Sequence, residues 1–226
     1  MVLYWRVDML PGSETFVRTQ EDHLTTWSPK TLGVVKVESP LARSTDTVLY
    51  SGPLAKLQRR LIFFTARSRK LTRLLRANRP DVVHSHFATD AAVIAPTLKR
   101  LGIPLVISTY GYDVTMTFKD TYRGRRKRSQ IQSALEYASV VLPNSTYMEA
   151  ATLKLGARPT RTRLTYLGVP MGDVPERNVA APVVLFIGRF VEKKGIDDLL
   201  RAMHLVLKRV PDAQLKIVGD GDLRSE

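Results

Sequence analysis

Apolar positions along this chain fall in short runs rich in β-branched residues. Longer stretches lie between them in which apolar residues recur at helical spacing. Short runs of that kind predict buried strands, and their alternation with helices predicts a parallel α/β sheet. Strands are predicted near residues 2–7, 33–37, 81–85, 104–108, 138–142 and 163–167, and helices near 13–24, 53–78, 88–101, 124–137 and 145–155. Together they make one Rossmann-like domain over residues 1–168. Gly168, Pro170, Gly172, Pro175 and Pro182 then interrupt the pattern and mark 169–181 as a linker. A second unit opens at 182, with strand 183–187, a loop over 188–195, helix 196–209 and strand 214–218. One βαβ unit cannot close a domain, and an end at Glu226 would leave a sheet edge uncovered. The expected architecture is therefore α/β with two Rossmann-like domains and parallel sheets, the second (182–226) incomplete, in a chain that is a fragment.

Charge changes the picture more than composition does. The 226 residues contain 35 Lys+Arg against 21 Asp+Glu, a net charge of +14, which asks for an acidic partner. The hydrophobic share of 44% is that of a globular protein and excludes disorder. The absence of Cys excludes disulfides, thiol catalysis and thiolate zinc sites. No apolar run reaches the ~18 residues of a membrane span. The segment Met1 to Asp8 lacks the basic head and apolar stretch of a signal peptide. The expected location is the cytoplasm, peripheral on the inner face of the cell membrane.

Ligands of open parallel sheets bind beyond the carboxyl ends of strands, so the residues there carry the candidate chemistry. After the first strand, Gly12 allows a close approach and Ser13 is placed to cap a helix whose N–H groups favour an anion. After the third, His84 and His86 point the same way. They either line a cleft, hydrogen-bonded to a hydroxyl-rich ligand, or are buried structural histidines; with no third ligand beside them, a metal is not expected. After the fourth, Tyr110, Gly111 and Asp113 offer a hydroxyl, an open backbone and a carboxylate. After the fifth, Asn144, Ser145 and Thr146 open a capped helix and also spell a glycosylation sequon. In the second unit a strand delivers Gly188 and Arg189, and a short loop delivers Lys194 and Gly195 to a helix start. Two cations beside a helix N-terminus form a diphosphate site without a metal; the alternative is a solvated basic turn. Asp220, Gly221 and Asp222 imitate an Asp-x-Asp metal–diphosphate motif but read as a turn.

Several of these segments occur in a recognisable order: Ser13-Glu14-Thr15-Phe16, Val83-His84-Ser85-His86-Phe87, Thr109-Tyr110-Gly111-Tyr112-Asp113-Val114, Gly168-Val169, Gly188-Arg189 through Lys194-Gly195, and Val218-Gly219-Asp220-Gly221. The chain resembles the family 4 retaining glycosyltransferases of GT-B fold, in particular members acting in bacterial exopolysaccharide or lipopolysaccharide assembly. The resemblance implies two facing Rossmann-like domains with the active site between them, the first binding the acceptor and the second a nucleotide-sugar. It implies that Arg189 and Lys194 hold the donor diphosphate, with Gly12 and Ser13 approaching it from the facing domain. His84 and Gly111 would line the acceptor cleft, with Tyr110, Asp113 and His86 as catalytic candidates. It implies no metal and no cofactor beyond the nucleotide-sugar co-substrate, and a glycan or lipid-linked acceptor. Two features depart from the family pattern. Tyr110 stands where members commonly carry a His that contacts the transferred sugar. The family's pair of glutamates, one on the donor sugar and one on the ribose, falls beyond Glu226, so the 226-residue chain alone is expected to show little or no transferase activity.

Residues 56–79 contain nine Lys/Arg and no acid, interleaved with Leu57, Leu61, Ile62, Phe63, Phe64, Leu71, Leu74 and Leu75, and a second basic cluster spans 123–128. Such amphipathic helices lie on anionic membranes, or else pack their apolar face on the sheet and turn their charges to water. Two other functions compete with glycosyl transfer: a non-catalytic module binding glycan or lipid, and a basic nucleic-acid-binding protein. No recognition helix or stacking platform supports the last, and no nucleic-acid partner is expected.

Overall fold

The structure is a computed structural model that describes residues 1–173 and 182–225. The chain divides into two units, Met1–Val169 and Pro170–Glu226. Much of the linker expected over 169–181 lies outside the described residues.

The first unit is built on a six-stranded, wholly parallel sheet. Its strands are β1 (Val2–Met9), β2 (Pro29–Lys36), β3 (Thr47–Tyr50), β4 (Val82–His86), β5 (Leu105–Thr109) and β6 (Val140–Pro143). Their spatial order is β3-β2-β1-β4-β5-β6. The order reverses between β1 and β4, and in doubly wound sheets a ligand crevice opens at the carboxyl ends of the strands flanking such a reversal. β1 is buried along nearly its whole length, as a strand covered on both faces must be. The core beneath comes from Leu3, Trp5, Val83, Ile107 and Val141, with helix α4 (Ala88–Leu101) laid across it through Ala91, Ile94 and Leu98.

The remaining helices of this unit are α1 (Thr15–Asp22), α2 (Ala55–Thr65), α3 (Arg69–Asn78), α5 (Tyr112–Thr115), α6 (Tyr122–Tyr137) and α7 (Thr146–Leu155). The single helix expected over 53–78 is two. Ala66 takes a left-handed conformation (φ 52°), and Ser68 restarts the chain by accepting the Leu71 N–H at 3.1 Å. A serine in an apolar-periodic stretch is an N-cap signal, and here it outweighs the continuity of the pattern. The strand expected over 163–167 is irregular. Arg163 and Thr165 donate their N–H groups to Val141 O and Pro143 O, both at 2.9 Å, but β6 has four residues and ends at Pro143, so no longer ladder forms. β3, short and half-exposed, was not anticipated.

The second unit contains β7 (Val183–Ile187), α8 (Ile196–Leu207) and β8 (Gln214–Val218), with β7 and β8 paired in parallel. Its two strand-end loops interlock. Gly188 N–H donates to Val218 O at 3.0 Å and Phe190 N–H to Asp220 O at 2.9 Å. A Cβ on Gly219 would lie 1.9 Å from Gly188 O, and one on Gly221 would lie 2.4 Å from Phe190 O. The Gly-Asp-Gly sequence thus serves a close backbone approach. Asp220 accepts the Gly221 N–H and pairs with Arg224, as in a turn. Most apolar side chains of β7 and β8 are exposed.

Candidate functional site

The carboxyl ends of β1, β4 and β5 build one continuous polar and aromatic constellation. At its centre Arg6, 5% exposed, projects from β1. Its Nε and Nη2 donate to the two carboxylate oxygens of Glu14 at 2.9 and 2.6 Å, and its Nη1 donates to Asp90 Oδ2 at 2.6 Å and His86 O at 2.8 Å. Asp90 Oδ2 also accepts the Val7 N–H at 2.7 Å, and the guanidinium lies 4.4 Å from the centroid of the Phe87 ring. One buried cation thus binds the loop after β1 to the β4–α4 turn. Burial holds the Glu14 and Asp90 carboxyls above their ordinary range and outweighs the lowering effect of Arg6.

The turn it holds is strained. Phe87 has φ 76°, rare for a bulky side chain, and such outliers persist only where surrounding contacts over-determine them. Here the Arg6 guanidinium covers the ring, the Phe87 N–H donates to Ser108 O at 2.9 Å, and Asp113 fixes the next residue.

Beside the turn runs an aromatic stack. The His84 and His86 rings lie 4.4 Å apart, Tyr4 packs 5.4 Å from each, and Tyr110 follows 5.9 Å beyond His86 and nearly parallel to it. Phe16 closes on Tyr110 at 4.6 Å. His84 Nε2 bonds Ser108 Oγ at 2.8 Å, and burial pushes its pKa down to about 4, so the ring is neutral. Burial, with Arg6 and His84 beside it, lowers His86 well below its ordinary value too. His86 Nδ1 meets the Tyr110 hydroxyl at 2.7 Å, whereas its Nε2 is buried with no partner. Among the described residues the other buried orphan is Asn144 Oδ1, on the residue that follows β6. Both orphans belong to residues at the carboxyl edge of the sheet, but both atoms are sealed from solvent, and His86 is fully buried. Burial raises Tyr110 far above an ordinary phenol, which keeps its proton in place to donate or share.

The candidates from sequence are not equivalent in this setting. His84, His86, Tyr110 and Gly111 share the carboxyl edge, and Gly111 N–H donates to Asp113 Oδ1 at 2.9 Å. Asp113 is 2% exposed and also accepts the N–H of Ala88 at 2.9 Å and of Tyr110 at 3.2 Å, so its carboxylate holds two turns together rather than facing a cleft. Ser13 is not the cap of α1: the helix starts at Thr15, and Glu14 at the cap position sends its side chain to Arg6. Gly12 and Ser13 are exposed, and a Cβ at Gly12 would make only ordinary contact with Pro40 at 3.6 Å, so the fold does not itself demand glycine there. Ser145 does cap its helix, accepting the Met148 N–H at 3.2 Å. Among the described residues no group of three or more His, Asp or Glu side chains is placed to hold a metal. Arg6, Glu14 and Asp90 were not singled out from sequence. The available signal was a lone Arg in a strand otherwise read as buried, since a buried cation requires partners.

In the second unit Arg189 follows β7 and Lys194 ends the turn before α8, with Gly195 between at φ 65°. Both cations are exposed, and neither forms an ion pair with any described residue.

A doubly wound sheet with a polar carboxyl edge, followed by a β-strand, paired cations and a helix, is the architecture of the GT-B glycosyltransferases. Among solved structures the chain is similar to sucrose-phosphate synthase from Thermosynechococcus elongatus (TM-score 0.66, 21% identity, covering 99% of this chain and 63% of that one). It is also similar to Anabaena HepE in complex with UDP and glucose (TM-score 0.64, 17% identity, 98% and 61%). The model of Glycosyltransferase Family 4 matches residues 25–172, and that of Glycosyl transferases group 1 matches 173–226. The chain belongs to glycosyltransferase family 4. A curated relative is the GDP-mannose-dependent alpha-(1-6)-phosphatidylinositol monomannoside mannosyltransferase of Mycolicibacterium smegmatis, 28% identical over 224 residues, 91% of this chain and 54% of the relative. The chain spans about half or less of the length of the curated relatives it matches.

Proposed function

We propose that this chain contributes the acceptor side and the diphosphate side of a retaining glycosyltransferase that moves a sugar from a nucleotide-sugar to a glycan or lipid-linked acceptor. The observation that carries the donor half is the pair Arg189 and Lys194, exposed and free of described ion pairs at a strand end and a helix start. In this role they bind the diphosphate oxygens and stabilise the negative charge that grows as the nucleoside diphosphate departs. Fixed cations thereby supply the electrostatic term that dominates such reactions. On the acceptor side, the partly exposed Tyr110 meets the acceptor's hydroxyl groups, its own hydroxyl oriented from beneath by the fully buried His86 through Nδ1. Both rings are held neutral or protonated by burial, so they orient hydroxyl groups without adding charge. The mannosyltransferase relative, whose name specifies phosphatidylinositol monomannoside, supports a lipid-linked acceptor.

Calorimetric titration of the chain with UDP and with GDP tests the donor half. Binding of one of them is expected, weakened about tenfold or more by Arg189→Ala or Lys194→Ala, the worth of a hydrogen bond to a charged group. Equal affinity in the double variant, or no binding of either nucleotide by the parent, overturns the assignment.

A further inference from the structure

A cavity of about 440 Å³ lies in the first unit between α5, α6 and α7. Its apolar wall includes Met116, Phe118 and Leu155, and its polar groups are Thr115, Arg128, Tyr147 and Lys154. An apolar wall carrying a few convergent polar groups is the make-up of a ligand pocket. Tyr147 and Lys154 stand seven residues apart on α7 and so share one face of it, with Glu149 on the other. Arg128 and Lys154 are exposed, and neither forms an ion pair with any described residue. The other carboxylates that the surrounding elements carry are engaged: Asp113 accepts three N–H groups, Asp120 pairs with Arg125, and Glu136 pairs with Arg158. Two cations thus line one cavity with no acid to neutralise them.

The cavity adjoins the sheet's carboxyl edge. Thr115 donates its N–H and its Oγ1 to Gly111 O, each at 3.0 Å, so it stands one helical turn past the segment that carries Tyr110. Two tyrosine rings are open along this path: Tyr112, 72% exposed, at the start of α5, and Tyr147, 70% exposed, at the start of α7, two helices packed against each other. An exposed tyrosine offers a flat apolar face with a polar tip. The C–H face of a pyranose matches such a ring. A carboxylate or phosphate on that pyranose matches the cations, Arg128 as a two-pronged donor and Lys154 as a point charge. We propose that this cavity is a subsite for an acidic sugar residue of the acceptor, a uronate or a sugar phosphate. Its ring lies against Tyr147, and its anionic group is held by Arg128 and Lys154. The assignment names the acceptor class and rests on the transferase reading.

Amide chemical shifts of the isotope-labelled whole chain test it, because they locate binding without turnover. The probes are methyl glucuronide, glucose 6-phosphate, neutral methyl glucoside and inorganic phosphate, at about 0.15 M ionic strength. At least one acidic sugar is expected to move the amides of 114–118 and 146–155, and the neutral glucoside to bind about tenfold more weakly or worse. The acidic sugar that responds identifies carboxylate or phosphate as the group recognised. Arg128→Gln and Lys154→Gln should each weaken binding about tenfold, and Tyr147→Ala roughly fivefold; all three positions are exposed, so the core stays intact. Arg67→Gln/Arg73→Gln, in a groove along α3, should change it little. Equal binding of the neutral glucoside, or an equal loss in the α3 variant, overturns the proposal. So does inorganic phosphate binding as tightly as the sugars with no effect of Tyr147→Ala, which would leave an anion site only. If neither acidic sugar binds while UDP or GDP does, the subsite falls and the transferase reading stands. If an acidic sugar binds here and neither nucleotide does, the saccharide site stands and it is the transferase reading that falls.

Discussion

Replacing Arg6 by methionine removes the one cation that neutralises two buried carboxylates. The Arg6, Glu14 and Asp90 side chains are all largely shielded, and the three contacts between guanidinium and carboxylates are 2.6 to 2.9 Å long. Breaking such a group from one side costs about 3–5 kcal/mol, because the remaining charges stay desolvated. For a unit of this size that corresponds to a fall of roughly 6–20 °C in Tm. The loss has a pH signature. Glu14 and Asp90 already titrate above their ordinary range, and without Arg6 they rise further. The folded variant then binds more protons than the unfolded chain, from the ordinary carboxylate pKa of about 4 up to the raised values. Its stability must therefore fall as pH rises through that window, more steeply than the parent's. Thermal unfolding followed by circular dichroism across that range reads both effects. Arg6→Met/Glu14→Gln/Asp90→Asn should recover most of the loss, since the carboxylates then carry no charge. A single variant with a Tm within about 3 °C of the parent, and no steeper pH dependence, would refute the reasoning.

His84 contributes with the opposite sign. Its pKa falls from 6.5 to about 4 on folding, so stability present at neutral pH is lost as pH drops from 6.5 toward 4. The loss is about 3 kcal/mol. His84→Gln should flatten the acid limb of the stability curve, and an unchanged limb would show that the imidazole is not held neutral. Tyr110→Phe leaves both ring nitrogens of His86 without a protein partner and should cost about 1–3 kcal/mol in denaturant unfolding, with a change under about 0.5 kcal/mol counting against the pairing. Gly219→Ala drives a Cβ into Gly188 O, so amides of β7 and β8 should lose protection in hydrogen exchange while those of β1 and β4 keep theirs; unaltered protection at β7 and β8 would contradict the close approach.

β5 and β6 were legible in the sequence because a short apolar run carries each and a proline bounds it, Pro104 just before the first and Pro143 at the end of the second. β3 escaped notice because its four residues are mostly half-exposed and carry no punctuation of their own. The break at Ala66 escaped because an alanine in left-handed backbone leaves no compositional trace, although Ser68 beyond it did mark a helix start. At the candidate site, position along the strand was enough to find His84, His86, Tyr110 and Asp113. Their division of labour was not readable, because it depends on partners far apart in the chain. Asp113 is occupied by the N–H of Ala88, which requires β4 beside β5, and Arg6 by Asp90, which requires β1 beside β4; Glu14, eight residues from Arg6, is its one local partner.

The ion pair between Arg59 on α2 and Asp8 at the end of β1 has both carboxylate oxygens engaged and is partly open to solvent. It makes α2 and the sheet's carboxyl edge share one charge. Any anion that draws Arg59 away leaves Asp8 bare, and a cationic or hydrogen-bonding ligand at that edge then meets a stronger acceptor. Binding equilibria joined in this way are reciprocal: whatever factor the anion imposes on the ligand, the ligand imposes on the anion. A partly exposed pair of this kind is worth up to about 1 kcal/mol, or roughly a fivefold change in affinity in each direction. Events on α2 and occupancy of the crevice would then be a single thermodynamic event with two entrances.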